Sequence, residues 1–394
     1  MCNNQNRKIL LHLFLYGLVL RLFVLFIMFL LDKNNIMLRH YYEDGIKFET
    51  FMDQYIANAN HLIDKSSFQS ILGSNYPTPL WFWIMFIIYY IFKSYWVIRM
   101  INVILSSLSI VLTYHVLLKI AKKQETALFG AKLYAFLPYS IIVSCFPIKD
   151  ILLTVLTLIA FNIIVKIMYN YTYRTLDILL LFLSTVAMYY IRGGLAEAIL
   201  IFTAISFFKR YMNKKQIRLT LLAFIVLILG ILVIKFDDIL NSFYTKVNIY
   251  LLNRDTSEGN NITFIRIDSL YQIYKLPFTY FFSLFQPIIF SVPSTISWST
   301  IIHILNFSLI PISIGNFIYL FLKKEGKLFY YITLLLYLSI IILSVGISRH
   351  YFFLLPLSIM NFSIIILKNN TLYKQIIYFG TIVLCTFIFI YMLI

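Results

Sequence analysis

Two adjacent carboxylates, Glu43 and Asp44, follow the first long apolar segment of this chain. They stand in the stretch "YYEDGIKFET", although only 12% of all residues are charged. A carboxylate at a membrane surface can act as a general base that takes the proton of an attacking hydroxyl. The pair can equally cap the amphipathic surface helix predicted to follow, because the helix dipole favours an anion in its first turn. Position alone leaves both interpretations open.

A second ionisable pair, Lys149 and Asp150, follows Pro147 at the boundary between two apolar segments. A charged residue at such a boundary needs water or a partner. In a structural interpretation Asp150 caps the next helix and Lys149 extends to the lipid headgroups. In a catalytic interpretation the cation stabilises negative charge that grows on a phosphate.

Further cations stand near apolar boundaries. Arg192 precedes two glycines that predict a tight turn, and Arg349 and His350 lie between two later apolar segments. The positive-inside rule disfavours arginine in short outer loops. We therefore interpret Arg192, Arg349 and His350, together with Arg99, as candidate ligands of a lipid phosphate. Contact with headgroups is the alternative, and for Arg99 it is anchoring at the end of a span.

The composition excludes an ordinary soluble domain. Of the 394 residues 61% are apolar, and the mean hydropathy is +0.85, whereas soluble domains are about half apolar and a quarter charged. The net charge of +17 is explained by membrane topology and anionic membrane lipids, so no nucleic-acid partner is expected. Three scattered cysteines predict neither a disulfide framework nor a metal site.

We predict an all-α polytopic membrane protein, with juxtamembrane helices in the first and in a later extracytoplasmic loop. Two short apolar stretches, 79–92 and 277–290, begin at prolines and predict interfacial or re-entrant segments. About 11 transmembrane helices are expected, near 9–31, 97–118, 127–147, 151–169, 177–190, 195–208, 219–235, 299–321, 328–346, 351–367 and 375–394.

With these spans the short basic loops fall on one face, which the positive-inside rule makes cytoplasmic. The chain then divides into a transmembrane module at 1–235 that contains the outer loop 32–96, a second outer loop at 236–298, and C-terminal helices at 299–394. The same topology brings four charged residues near one outer membrane plane, namely Asp44, Asp150, Arg192 and Arg349.

The chain resembles the GT-C membrane glycosyltransferases, specifically the bacterial relatives of the protein O-mannosyltransferase and aminoarabinose transferase group (glycosyltransferase family 39-like). The resemblance is strongest over about residues 9–200, and one further segment follows near the C-terminal end. It rests on the order and spacing of several segments rather than on one motif. These segments are "EDG" with "KFETFMDQYIANA", "NYPTPLWFWIMFIIYYIFKSYWVIRMINVIL", "ALFGAKLYAFLPYSIIVSCFPIKDILL" and "SRHYFFLLPL".

The resemblance implies an inverting transfer of a sugar from polyprenyl phosphate to a glycan, lipid or protein acceptor. Asp44 would be the base, with Glu43 as the alternative, since Lys47 and Phe48 depart from the acid-and-tyrosine pattern of the family. Asp150 would hold the acceptor or the base. No cofactor is required, and a divalent metal is neither indicated nor excluded. The protein would lie in a bacterial cytoplasmic membrane with its active site outside.

Two other classes of protein fit parts of the pattern. A repeat-unit polymerase or ligase of surface polysaccharide would use the basic residues of the loop 236–298. A lipid or solute transporter would place ionisable residues inside spans, and Arg21, Lys132 and Lys166 lie within apolar segments. Transporters often contain repeated halves, and no internal repeat is visible in this sequence.

Overall fold

The computed structural model describes residues 4–33, 79–211, 305–322, 352–368 and 371–393. Within these ranges the chain is mostly helical and contains no strand. The helices in chain order are α1 (Asn4–Lys33), α2 (Pro79–Phe92), α3 (Tyr95–Ala121), α4 (Gln124–Phe136), α5 (Pro138–Ser144), α6 (Lys149–Met168), α7 (Thr175–Tyr211), a 3₁₀ turn (Asn306–Leu309), α8 (Ile310–Leu322), α9 (Leu355–Lys368) and α10 (Thr371–Leu393).

Three of these helices, α1, α3 and α6, are long and apolar enough to cross a membrane, and the bent pair α4 and α5 is a fourth candidate. The part of the chain that is described therefore agrees with a helical membrane protein. Helix α2 has 14 residues and is about 21 Å long, shorter than a hydrocarbon core of about 30 Å. The predicted spans 219–235 and 328–346 and the stretch 277–290 lie outside the described residues.

A break interrupts the span that the sequence predicts as continuous over 127–147. Helices α4 and α5 meet at 57°, and Leu137 between them has extended backbone with φ −65° and ψ 116°. The cause is Pro138, which has no N–H to donate to the carbonyl four residues earlier and disfavours helical geometry in the residue before it. The predicted span 127–147 therefore corresponds to a bent pair of helices, which is still a candidate for crossing the membrane.

Helix α7 folds back on itself. Its 37 residues would extend about 55 Å if straight. Yet the hydroxyls of Tyr173, just before α7, and Tyr211, at its end, are 2.5 Å apart, and the Arg210 guanidinium lies 4.9 Å from the Tyr173 ring. The two halves must run antiparallel. The reversal therefore lies near the middle of α7, the region in which the sequence predicts a turn at Gly193 and Gly194.

Helix α3 occupies the centre of the bundle and contacts α1, α4 and α6 along with α2 and α9. Two glycines permit the closest approaches. A Cβ atom on Gly17 would overlap the side chain of Ile110, and one on Gly130 would lie 2.5 Å from Leu117 and 2.8 Å from Ser363. Each glycine thus leaves room for a side chain of the neighbouring helix, and small residues are typical of closely packed membrane helices.

Three helices are followed within two residues by a residue with left-handed backbone that is not glycine. These residues are Lys93, Lys122 and Asn170, with φ of 52°, 54° and 59°. At the end of α3 the Lys122 N–H donates to the carbonyl of Leu118 at 2.9 Å. A Cβ atom in this conformation costs about 1 kcal/mol, which glycine avoids.

We predict that Lys122→Gly raises the free energy of unfolding by about 0.5–1 kcal/mol, because glycine relieves the left-handed strain. Circular dichroism during thermal unfolding in detergent would measure the change. Lys122→Ala is the matched control, since it removes the same side chain and keeps the Cβ atom. Equal effects of the two substitutions would contradict the explanation.

Candidate functional site

The turn that precedes α6 is fixed against α3. Asn102 of α3 donates from Nδ2 to the carbonyls of Phe146, at 2.5 Å, and Ile148, at 3.0 Å. Because this turn leads directly into the first residues of α6, its anchoring sets the position of Lys149 and Asp150. We call Arg99, Asn102, Lys149 and Asp150 the Asp150 site.

Asp150 is buried, with 1% of its surface exposed. It is the second residue of α6, whose N-cap is Ile148, and no side chain caps the helix. Asp150 is therefore not the surface cap of the structural interpretation. A carboxylate in this first turn is favoured by the helix dipole, whereas its removal from water is costly unless hydrogen bonds or nearby charges compensate for it.

Arg99 lies across the same turn. Its guanidinium carbon is 4.5 Å from the Trp96 ring centroid and 6.0 Å from that of Phe146. The Trp96 ring in turn packs edge-on against Phe29 of α1, at 4.9 Å between centroids. The end of α1, the start of α3 and the start of α6 thus lie together. Glu43 and Asp44, which follow α1 in the sequence, are outside the described residues.

The reversal of α7 lies at this same end of the bundle. Thr157 of α6 contacts Met188 of α7 at 3.9 Å. From this contact α6 runs back about two turns to Asp150, and α7 runs on about one turn to Arg192. The backbone of Arg192 is therefore near the level of Asp150, although the structure does not describe its side chain.

The remaining candidates, Arg349 and His350, lie outside the described residues. The described segment that follows them begins at Phe352, which is buried. Its ring lies 5.9 Å from that of Tyr139 in α5. The C-terminal part of the chain thus packs directly against the broken helix.

Two buried polar atoms, one within the Asp150 site and one beside it, have no hydrogen-bond partner in the described part of the chain. They are Oδ1 of Asn102 and Nε1 of Trp81. Trp81 packs with Ile98 of α3, and Leu152 in the first turn of α6 packs against this pair. Unsatisfied buried groups are uncommon and often mark a functional site. Sequence reasoning missed both residues, although an asparagine within an apolar helix was an available signal.

Arg21 is the most extensively bonded buried charge in the described residues. It is fully buried in α1. Its Nε donates to Ser106 Oγ at 2.9 Å, and its Nη2 donates to Ser140 Oγ at 3.0 Å. Its Nη1 donates to the carbonyls of Gly17 and Ala135, each at 3.2 Å. These acceptors are all neutral and come from α1, α3, α4 and α5.

The break before α5 supplies some of these acceptors. Proline cannot bond the carbonyl of Tyr134, which accepts instead from Ser140 Oγ at 2.7 Å, and the next carbonyl accepts from Arg21. At the other end of α5, the Cys145 thiol contacts the backbone carbonyl of Arg21 at 3.5 Å. Arg21 therefore holds both ends of α5, the segment that leads into Lys149, and we assign it as a positioning residue of the Asp150 site.

The opposite end of the bundle is basic. Lys166 of α6 forms an ion pair with Asp177 of α7, at 2.6 Å, and Lys119 of α3 donates to Asn162 of α6. These contacts bring the ends of three helices together, as the predicted grouping of basic loops requires. Among the described residues, no three His, Cys, Asp or Glu side chains form a group that could hold a metal ion.

No family model, no curated protein and no solved structure matches this chain. The resemblance to GT-C glycosyltransferases therefore rests on the residues quoted above, and it stays a prediction.

We predict that Ser106→Ala lowers the free energy of unfolding by about 1.5–3 kcal/mol, because it deprives a buried cation of an acceptor. The same substitution should have little effect in an Arg21→Met background. Reversible unfolding in detergent, followed by circular dichroism, would give the coupling energy of this double-mutant cycle.

Ser107→Ala is the control for this cycle. Ser107 is buried beside Ser106 and donates only to the carbonyl of Val103, at 2.8 Å, in its own helix. Ser107→Ala should lower the free energy of unfolding by the same amount with and without Arg21. A coupling energy for Ser106 no larger than that for Ser107 would contradict the assigned role of Arg21.

Proposed function

We propose that this protein is a membrane glycosyltransferase, which moves a sugar from a polyprenyl-phosphate donor to an acceptor on the extracytoplasmic side. The observation that carries the proposal is the burial of Asp150 beside Lys149 at a helix start, with Arg99 lying across the same turn. A carboxylate and two cations beside the end of a transmembrane bundle suit a reaction in which a hydroxyl loses a proton and a phosphate leaves.

In the proposed reaction the acceptor oxygen attacks the anomeric carbon of the donor sugar. The bond between that carbon and the phosphate oxygen breaks, and its electron pair leaves with the polyprenyl phosphate. Asp44, with Glu43 as the alternative, takes the hydroxyl proton. Asp150 holds the acceptor or orients the base. Attack from the face opposite the phosphate inverts the anomeric configuration.

Cations stabilise the charge that grows on the leaving phosphate. Lys149, Arg192 and Arg349 are the proposed main ligands, with Arg99 and His350 as further ones. Arginine suits this role because its planar fork matches two phosphate oxygens. The reaction requires no cofactor, since these side chains can balance the charge by themselves.

The donor chain approaches from the lipid phase. Helices α2 and α7 contact each other near this end of the bundle. Both carry large apolar side chains with more than half of their surface exposed, among them Ile91 of α2 and Phe182 of α7. An isoprenoid chain can pack along such a surface while its phosphate reaches the Asp150 site.

A transporter is the second candidate, because an ionisable residue buried in a membrane span commonly marks a transport pathway, and Arg21 is such a residue. A repeat-unit polymerase or ligase is a third, and it differs from the first proposal in its donor. The three classes differ in what happens to the bond between the sugar and the lipid phosphate. Transport leaves the bond between sugar and phosphate intact, transfer breaks it, and a polymerase moves a whole oligosaccharide.

The proposal is tested with the full chain in liposomes that contain a radiolabelled polyprenyl-phosphate sugar and an envelope-glycan extract. We expect label to leave the lipid, and Asp44→Asn to slow its release by about 10²- to 10⁴-fold through loss of the base. Asp150→Asn should slow release by less. Glu125→Gln, at an exposed carboxylate at the opposite end of the bundle, should leave the rate unchanged.

Full transfer by a folded Asp44→Asn variant would exclude Asp44 as the base, and Glu43→Gln would then be the next variant. Label that crosses the bilayer while still attached to the lipid would favour transport. Label that appears in a multi-sugar product only when an oligosaccharide donor is supplied would favour the polymerase.

A further inference from the structure

Cations from α3, from α6 and from both ends of α7 lie at the end of the bundle opposite the Asp150 site. The Lys119 side chain comes from α3, that of Lys166 from α6, and that of Arg210 from the end of α7. Arg174 precedes α7, and its backbone N–H donates to Asp177 Oδ2 at 2.9 Å. We call Lys119, Lys166, Arg174 and Arg210 the basic cluster.

The basic cluster carries more positive charge than its surroundings neutralise. In the described part of the chain Asp177 is the carboxylate in contact with it, through Lys166 at 2.6 Å. Lys119 is close enough to interact electrostatically with both Lys166 and Asp177. Lys119 and Lys166 thus share the charge of one carboxylate, which also accepts from the Arg174 backbone, and the repulsion between like charges is strongest where water is partly excluded.

Neutral groups satisfy the hydrogen bonds of the cluster without reducing its charge. Lys119 donates to Asn162, and Arg210 Nη1 donates to the carbonyl of Tyr171 at 3.1 Å. The phenol of Tyr173 adds no negative charge, because its hydrogen bond with Tyr211 raises the pKa of Tyr173 above its ordinary value. The hydrogen bonds of the cluster therefore leave its excess of positive charge in place.

The surroundings of the cluster fit a lipid rather than a soluble anion. The tyrosines at 173 and 211 lie at the helix ends, the level at which aromatic side chains meet lipid headgroups. Beside them Leu176 and Phe208 of α7 are 61% and 40% exposed, and such apolar surface can pack against acyl chains. A basic pocket between transmembrane helices at this level is typical of sites for phospholipid headgroups.

We propose that the basic cluster binds the phosphate of one anionic phospholipid, with its acyl chains along the exposed face of α7. Lys119 and Arg210 contact the phosphate, while Lys166 stays paired with Asp177. The bound lipid joins α3, α6 and both ends of α7 into one unit. This site is separate from the Asp150 site, and the proposal does not depend on which reaction the Asp150 site performs.

The test uses the purified full-length chain in neutral detergent, titrated with phosphatidylglycerol and measured by native mass spectrometry. Phosphatidylcholine and inorganic phosphate are titrated in parallel. We expect phosphatidylglycerol alone to bind tightly, and Lys119→Gln or Arg210→Gln to weaken its binding about fivefold each. Lys93→Gln removes the same charge from an exposed lysine that follows α2 and should change binding less than twofold.

Equal weakening by Lys93→Gln and the cluster variants would overturn the proposal, because binding would then follow net charge alone. Competition by inorganic phosphate at the same concentration as the lipid would also overturn it and identify a free phosphate as the ligand. Circular dichroism controls for folding. Lys119→Arg, which keeps the charge, should retain binding, and its loss in a folded protein would equally refute the site.

Discussion

A guanidinium inside a membrane bundle is stable only if nearly all of its N–H groups find acceptors, and Arg21 finds four on four different segments. Two of these, the carbonyl of Ala135 and the hydroxyl of Ser140, are available because Pro138 interrupts the helix between α4 and α5. The break would leave carbonyls unbonded in an apolar environment, and the arginine would lack acceptors without the break. The buried arginine and the helix break would each destabilise the bundle alone, and together each supplies the hydrogen-bond partners that the other lacks.

This compensation fixes the path of the chain beyond the break. Helix α5 leaves α4 at 57° and is only seven residues long, so the turn after it reaches α3 early enough for Asn102 to bond two of its carbonyls. Helix α6 then begins with Asp150 buried inside the bundle and Lys149 partly exposed. A substitution of Arg21 should therefore change the position of Asp150, although the two residues are far apart in the sequence.

Hydropathy located α1, α3 and α6 from the sequence because a run of about 20 apolar residues is a local and sufficient signal for a span. The reversal of α7 was likewise foreseen from adjacent glycines. The break at Pro138 was not predicted. Membrane helices tolerate proline when neighbouring helices bond the freed carbonyls. Here one of these carbonyls is bonded by Arg21, more than a hundred residues earlier in the sequence. The burial of Asp150 escaped prediction for the same reason, because α3 supplies the residues that enclose its turn.

The two ends of the bundle differ in what they lack, which is hydrogen-bond partners at one end and negative charge at the other. At the Asp150 site a buried carboxylate lies near buried polar atoms, on Asn102 and Trp81, whose hydrogen bonds are not made in the described chain. In the basic cluster the described hydrogen bonds are made and the charge is left unbalanced. A ligand that arrives and leaves must find open hydrogen-bonding groups, whereas a bound lipid needs only an opposite charge and an apolar surface. This contrast agrees with the two proposals, in which a substrate is exchanged at the first end and a lipid stays bound at the second.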